Sequence, residues 1–261
     1  MKTHLIEEMT PGMIAEIARK SSVVFVPVSP KYEWHGPHLP VGTDGIIAQE
    51  VARKLAEEFD GAWFHTLPLA LDAFRDDREK LQWGLEKDAE VFGMNFPALE
   101  FTSEYAEAND MLRMVAMRLK AIKGSGFRYA FIINHHGGAG QMQTLKSLAG
   151  STTDDAFTVE AIATCASNTY KIQDERRKLY LSVGGHAGLA ETHWLMAFRP
   201  DLARLGELPA GELSVAQLGI LHNEPVIPAE LNPRNACQDI ADGWGSSVIE
   251  NIGNRVRTVI F

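Results

Sequence analysis

The sequence predicts an α/β layer fold with a largely parallel sheet, because segments of strand character alternate with segments of helical character. Short apolar runs at 22–28 and 128–134 are typical of buried strands. Apolar residues three and four positions apart at 43–59 and 108–123 indicate amphipathic helices. No repeat or low-complexity linker divides the chain, so we predict one domain over residues 1–261.

The remaining predicted elements continue this alternation. They are strands at 62–70 and 157–164, helices from near 140 and at 188–198, and a last helix at about 235–258 that Gly243 and Gly245 interrupt. Thr43 or Asp44 is expected to cap the helix at 43–59. Residues 72–106 are rich in charged and aromatic side chains and lack periodicity, which is common in functional connections.

Charge and composition argue against several classes of protein. The 25 basic and 34 acidic side chains give a net charge of −9, and no basic stripe indicates a nucleic-acid surface. The densest run of Lys and Arg, at 175–178, includes its own glutamate and is typical of a solvated helix face. No apolar run reaches the ~18 residues of a membrane span, and residues 1–10 lack the apolar stretch of a signal peptide. Cys165 and Cys237 form no C-x-x-C pair, so we expect a cytoplasmic protein.

Metal-capable side chains are concentrated in residues 33–44, which read E-W-H-G-P-H-L-P-V-G-T-D. In an extended segment, positions i and i+2 point the same way, so Glu33 and His35 can converge on one point. Asp44 returns at the start of a helix, where its two oxygens could bridge two cations. These ligand types suit Zn²⁺, Mn²⁺ or Fe²⁺, and two such ions would lower the pKa of a shared water.

A histidine pair, His135 and His136, ends the predicted strand at 128–134. Glu33 and His35 follow the first predicted strand in the same way. Because ligands bind beyond the carboxyl ends of parallel strands, the two clusters are expected to meet at one edge of the sheet. A rigid loop of satisfied polar residues would explain any one of these side chains, but it explains the whole set poorly.

A third segment, G-G-H-A-G-L-A-E-T-H-W at 184–194, places His186 before a helix and Glu191 about one turn into it. Glu191 could ligate a metal or accept a proton. A glutamate at this position also suits the helix dipole without any further function.

Together, the three segments resemble the creatininase family of creatinine amidohydrolase-like proteins over roughly residues 20–200. The first is similar to the family signature E-x-H-G-x-H-L-P-x-x-T-D, with four ligand-type residues in register. N-H-H-G-G-A resembles N-G-H-G-G-N, and G-G-H-A-G-L-A-E-T resembles H-A-G-E-x-E-T. The resemblance implies a three-layer α/β/α sandwich with a mostly parallel central sheet and a hydrolase that uses two divalent metal ions.

By position, four residues match the metal ligands of the family: Glu33, His35, Asp44 and His136. Glu191 is expected to be a fifth ligand. Glu33, Asp44 and His136 would hold one ion. His35, Asp44 and Glu191 would hold the other, with Asp44 as the bridge. His186 would be a catalytic acid or base, and Glu191 could be a base as well as a ligand. His38, His135 and Trp83 are expected to contact the substrate or to support the ligands. The resemblance also implies a small cyclic substrate and a homo-oligomer, a hexamer by analogy.

The chain departs from creatininase at Gly138, where creatininase carries a glutamate two positions after the histidine of the second motif. Glu191 is the natural replacement ligand. Ala139 and Leu189 also replace polar residues of the family motifs, and the usual segment after the second strand is not recognisable. Because such loops commonly shape substrate pockets, we do not expect creatinine itself to be the substrate.

Three functions therefore stay open from the sequence. The first is attack of a metal-bridging hydroxide on the carbonyl of a small cyclic amide, which breaks a C–N bond. The second is C–C cleavage of a cyclic polyol ketone, such as an inositol-derived ring ketone. Its hydroxyls would meet polar side chains of the 72–90 segment: Arg75, Asp76, Asp77, Arg78 and Gln82. Those charges could equally form a solvated loop or an oligomer contact. The third is a non-catalytic binding or regulatory module on the same scaffold.

Overall fold

The centre of the molecule is a sheet of four parallel strands, seen in a computed structural model that describes residues 3–165 and 185–261. The strands are β1 (Val23–Pro27), β2 (Ala62–Trp63), β3 (Tyr129–Asn134) and β4 (Thr158–Ala163), arranged in the order β2-β1-β3-β4. Phe25 of β1 lies opposite Phe131 of β3, and their rings stack with centroids 5.6 Å apart. All residues of β1 are buried, as expected where helices cover both faces of a parallel sheet.

Helices form one layer on each face of this sheet. The described helices are α1 (Pro11–Lys20), α2 (Thr43–Glu58), α3 (Asp77–Gln82), α4 (Ala108–Gly124), α5 (Gln141–Thr152), α6 (Leu189–Phe198), α7 (Val215–Leu218) and α8 (Gln238–Ile260). α2, α6 and α8 share a core with Val23 and Phe25, whereas α1, α4 and α5 share a second core with Val24 and Val26. Because successive side chains of β1 point to opposite faces of the sheet, this strand contributes residues to both cores. The predicted three-layer α/β/α sandwich is confirmed.

The structure corrects three details of the predicted elements. The strand expected at 62–70 is limited to β2, apart from one bridge at Leu67, because the N–H groups of His65 and Thr66 donate to the side chains of Glu7 and Gln49 rather than to a neighbouring strand. α2 begins at Thr43, so its cap is Gly42 rather than Thr43 or Asp44.

The last helix, α8, continues through Gly243 and Gly245 without interruption. A Cβ atom at Gly245 would lie 3.0 Å from the Cβ of Ala197, so this glycine lets α8 approach α6 closely. Packing between the two helices therefore outweighs the weak helix propensity of glycine here. α1 is absent from the predicted elements, although Thr10 accepts a hydrogen bond from the Met13 N–H as its cap.

The charged run at 175–178 lies outside the described residues, so its predicted helix face is not described. Among the helices within 3–165 and 185–261, none combines the length and the apolar character that crossing a bilayer requires.

Candidate metal centre

The predicted ligands meet at the carboxyl edge of the sheet. Glu33 and His35 lie in the connection after β1, and His136 lies in the connection after β3. Asp44 is in the first turn of α2, and Glu191 is in the first turn of α6. Since β1 and β3 are neighbours, their carboxyl ends bring together residues that are far apart in the sequence.

Asp44 lies between two imidazoles and presents a different oxygen to each. Its Oδ1 is 3.2 Å from Nε2 of His35, and its Oδ2 is 3.0 Å from Nδ1 of His136. Glu33 Oε2 completes the group, at 3.8 Å from the same nitrogen of His35 and 3.4 Å from that of His136. A carboxylate with one oxygen on each side is the arrangement that a bridging ligand needs.

Backbone carbonyl groups fix which nitrogen of each imidazole faces these carboxylates. Nε2 of His136 is 3.0 Å from the Leu71 carbonyl oxygen, and Nδ1 of His35 is 3.0 Å from that of Glu33. Because a carbonyl oxygen only accepts, each of these nitrogens carries the N–H. The other nitrogen of each neutral ring then turns its lone pair toward the carboxylates. This arrangement is stable only when a proton or a cation lies between the lone pair and the carboxylate.

In the metal-free chain, protons take that place. Burial disfavours charge on His35, but Glu191, Asp44 and Glu33 outweigh it and raise its pKa to about 10. Burial is likewise outweighed at His136, where carboxylates hold the pKa well above its usual value. Burial raises the pKa of Glu191 to about 8.

Donor chemistry and geometry both fit divalent cations. Glu33 Oε2 is buried and has no hydrogen-bond partner within the described part of the chain. Donor atoms lie within 4.8 Å of one another in each of three groups: Glu33, Asp44 and His136; His35, Asp44 and Glu191; and Glu33, His35 and His186. The first two groups are the ligand sets expected from the sequence. Nitrogen and carboxylate oxygen donors suit Zn²⁺ and Mn²⁺.

A cavity of about 290 Å³ opens onto this cluster. His186 lines it, with its ring centroid 4.2 Å from that of His35 and its Nε2 donating to the Trp34 carbonyl. Burial and the charge on His35 lower the pKa of His186 to about 4. His186 is therefore neutral near pH ~7 and can accept a proton.

His135 also lines the cavity, as expected of a residue near the substrate. Its Nδ1 is 2.6 Å from Thr164 Oγ1, and its Nε2 is 3.8 Å from Oε1 of Glu191. Burial lowers its pKa to about 4, so this ring is also neutral in the metal-free chain.

His38 and Trp83 lie behind the cavity wall rather than in it. His38 is fully buried, and its Nε2 is 2.9 Å from Oγ1 of Thr192, the residue after Glu191. It therefore joins the first motif to α6. Trp83 lies 5.8 Å from the guanidinium of Arg75, which does line the cavity. His38 and Trp83 are therefore both placed to support residues of the cavity.

Of the polar side chains expected to face a substrate in the 72–90 segment, Arg75 is the one that lines the cavity. Its Nη2 donates to Oδ2 of Asp72 at 2.8 Å, and its Nε donates to the Gly93 carbonyl. The other four point to structural or solvated roles: Asp76 caps α3, Asp77 pairs with Lys80, Gln82 binds Asn223 and Arg78 is exposed.

Tyr105 donates to Glu33 Oε1 at 2.6 Å but is not among the site residues predicted from the sequence. It lies in the irregular 72–106 connection, and no motif marks it. The only available signal was that such connections often carry functional residues. Cys165, which no motif marks either, also lines the cavity.

Gly138 occupies a position where no side chain fits. A Cβ atom there would overlap Nε2 of His136 and the Leu71 carbonyl oxygen, the two atoms whose hydrogen bond orients this imidazole. The glutamate that creatininase carries here is therefore incompatible with this orientation of His136. Glu191, in α6, brings a carboxylate to the same cluster, next to His35 and Asp44.

We expect Gly138→Ala to lower the free energy of unfolding of the metal-free chain by about 1–3 kcal/mol, because the new methyl group must displace His136. Gly137→Ala is the matched control, since a Cβ atom at Gly137 meets nothing within 4 Å. Urea denaturation of both variants and the wild type measures the difference. Equal losses in the two variants would contradict the steric explanation.

Comparison with known proteins agrees with this architecture. A family model described as Creatininase: Creatinine amidohydrolase matches residues 7–233. The fold is similar to that of a creatinine amidohydrolase (creatininase), with 17% identity, a TM-score of 0.67 and coverage of 100% of this chain and 99% of that one. A creatininase Mn structure gives 17% identity, a TM-score of 0.67 and 99% coverage of both chains. A mutant creatininase of Zn-Zn type gives 15% identity, a TM-score of 0.66 and coverage of 100% of this chain and 99% of that one.

No curated protein matches the sequence. At these identities, the solved structures establish a shared fold. The family model covers most of the chain, including all three motifs that meet at the cavity. The chain therefore belongs to the creatininase family.

Proposed function

We propose that the chain is a metal-dependent hydrolase that opens a small cyclic amide by breaking its C–N bond. The observation that carries this proposal is the pair of buried imidazoles whose lone pairs face shared carboxylates. Glu33, Asp44 and His136 would hold one divalent ion. His35, Asp44 and Glu191 would hold the second. Zinc and manganese are the first candidates, because similar creatininases include a Zn-Zn type and a manganese form.

Bound ions would lower the pKa of a water molecule and polarise the substrate carbonyl. The protein supplies the proton transfer. His186 donates its Nε2–H to the Trp34 carbonyl, which leaves Nδ1 to accept a proton from the attacking water. The same nitrogen returns that proton to the leaving nitrogen. Water adds to the carbonyl carbon and the ring C–N bond breaks, which leaves one ring-opened product that carries both a carboxylate and an amine.

The cavity favours a small, oxygen-bearing substrate. Its volume of about 290 Å³ is at the lower end of the range for small-molecule sites. Asp72 and the Gly93 carbonyl hold the Arg75 guanidinium in place, and its other N–H groups are donors suited to a substrate oxygen.

Arg75 also suits a second candidate, a hydrolase of hydroxylated ring ketones, because a guanidinium can donate to hydroxyl oxygens as well as to a carbonyl oxygen. In that reaction the C–C bond next to the carbonyl breaks, and the proton goes to carbon rather than to nitrogen. The products identify the reaction, since a ketone yields a carboxylic acid without an amine.

Elemental analysis is expected to find about two divalent ions per wild-type chain purified without chelator. Asp44→Asn should lose both, because Asp44 belongs to both donor sets. The matched control is Asp201→Asn, whose exposed carboxylate pairs only with Arg199 among the ion pairs of the described residues. Absence of stoichiometric metal in the wild type, even after addition of Zn²⁺ or Mn²⁺, would reject the two-ion hydrolase.

Metal uptake is expected to release protons and to strengthen as pH rises from ~6 to ~8. The reason is that His35 and His136 have raised pKa values and Glu191 has a pKa of about 8, so protons occupy the site at neutral pH. Each displaced proton should raise the apparent affinity about tenfold per pH unit. Calorimetric titration with Zn²⁺ in two buffers of different ionisation enthalpy counts these protons. Uptake without proton release would contradict the expectation.

His186→Gln is expected to lower kcat by roughly 10²–10⁴-fold, because the proton carrier is lost while both donor sets remain. His65→Gln is the control, since that histidine is exposed. Turnover should be screened with cyclic amides and ring ketones, and the products tested for amine. A full loss of metal in His186→Gln would identify this residue as a ligand. Metal binding without any turnover in the wild type would favour the binding module.

A further inference from the structure

The connection before α4 holds the metal-ligand segment at three successive positions. The Glu104 N–H donates to the Tyr32 carbonyl at 2.8 Å, and the Trp34 N–H donates to Ser103 Oγ at 3.0 Å. These two bonds fix the backbone on either side of Glu33. Residues 103–105 thus lie alongside residues 32–34, which belong to no helix or strand of their own.

The third contact is made by side chains. Tyr105 Oη is 2.6 Å from Glu33 Oε1, and it also accepts a hydrogen bond from the Met94 N–H at 2.8 Å. A phenol has one proton, and the backbone N–H cannot accept it. The Tyr105 proton is therefore donated to Glu33. Oε1 of Glu33 therefore accepts this hydrogen bond, and Oε2 faces the other metal-ligand candidates.

The direction of the remaining oxygen follows from that bond. Glu33 Oε2 is the buried atom without a hydrogen-bond partner in the described chain, and it faces His136 at 3.4 Å and His35 at 3.8 Å. Without the phenol, the carboxylate could rotate about its terminal torsion, because that torsion is broad and weakly restricted. The hydrogen bond aims one ligand atom at one ion.

The structure also makes room for this tyrosine. Its ring packs edge-on against Phe92, with centroids 5.4 Å apart. Gly93 has a φ of +56°, and a Cβ atom there would overlap the Tyr105 ring. Tyr105 does not line the cavity, whereas Met94 does. Its contacts are therefore to a ligand and to the cavity wall rather than to a substrate.

We propose that Tyr105 is a positioning residue that orients Glu33 for one of the two metal ions and ties that ligand to the cavity wall. This inference rests on the proposed function, since it requires that the cluster binds metal. Partners that orient metal ligands through hydrogen bonds typically contribute 10–100-fold to metal affinity. The effect should be confined to the ion held by Glu33, Asp44 and His136.

The test is titration of the metal-free protein with Zn²⁺ against a competing chelator. Tyr105→Phe should weaken one of the two binding steps about 10–100-fold and leave the other unchanged. Tyr129→Phe is the matched control, because that hydroxyl lies at the opposite end of β3, 3.5 Å from the Ile260 carbonyl. Gly93→Ala keeps the phenol but crowds its ring, so it should weaken the same step. In a Glu33→Gln background, Tyr105→Phe should cause no further loss.

Two results would overturn the inference: unchanged affinity at both sites in Tyr105→Phe, or an equal loss at both sites, which indicates general distortion. Failure of the wild-type protein to bind Zn²⁺ would instead reject the proposed function itself, and the two failures are therefore distinguishable. Circular dichroism and thermal unfolding of each metal-free variant show whether a weakened step comes from a folded chain.

Discussion

The organisation of the site depends on one arrangement: Asp44 between two imidazoles whose outer N–H groups are held by backbone carbonyls. The carbonyls of Glu33 and Leu71 belong to the connections that follow β1 and β2. The sheet therefore sets the orientation of both rings before any ligand is present. Orientation by backbone atoms is insensitive to side-chain rotamers, so the fold itself fixes the orientation of these two rings.

Burying several charges together would oppose folding if they were of one sign or unpaired. Here, carboxylates of Glu33 and Asp44 lie against imidazoles that become protonated, while burial favours the neutral form of Glu191. Protons thus balance the cluster in the metal-free chain. Divalent ions and protons compete for the same lone pairs, which couples the folded structure, its protonation and its metal content.

Much of this site could be predicted because its residues occur in short motifs next to strongly apolar strands. The order of strands and helices placed Glu33 and His136 at one edge of the sheet, and the spacing of Glu33 and His35 placed both on one side of the chain. Tyr105 could not be found in this way, because its hydrogen bond crosses an irregular connection without periodicity. The short β2 depends on the side chains that accept from the N–H groups of His65 and Thr66, and the uninterrupted α8 depends on contact with Ala197. Both are matters of tertiary structure.

The lack of space at Gly138 also limits how the family could have diversified. A side chain at 138 and the present orientation of His136 exclude each other, so a carboxylate at 138 requires a different orientation of that ring. Placing a glutamate at 138 alone would displace a ligand. A chain that acquired this carboxylate would therefore have to move the ring of His136 at the same time. Substitution at 138 is thus coupled to the position of a neighbouring ligand, even between proteins whose folds superimpose.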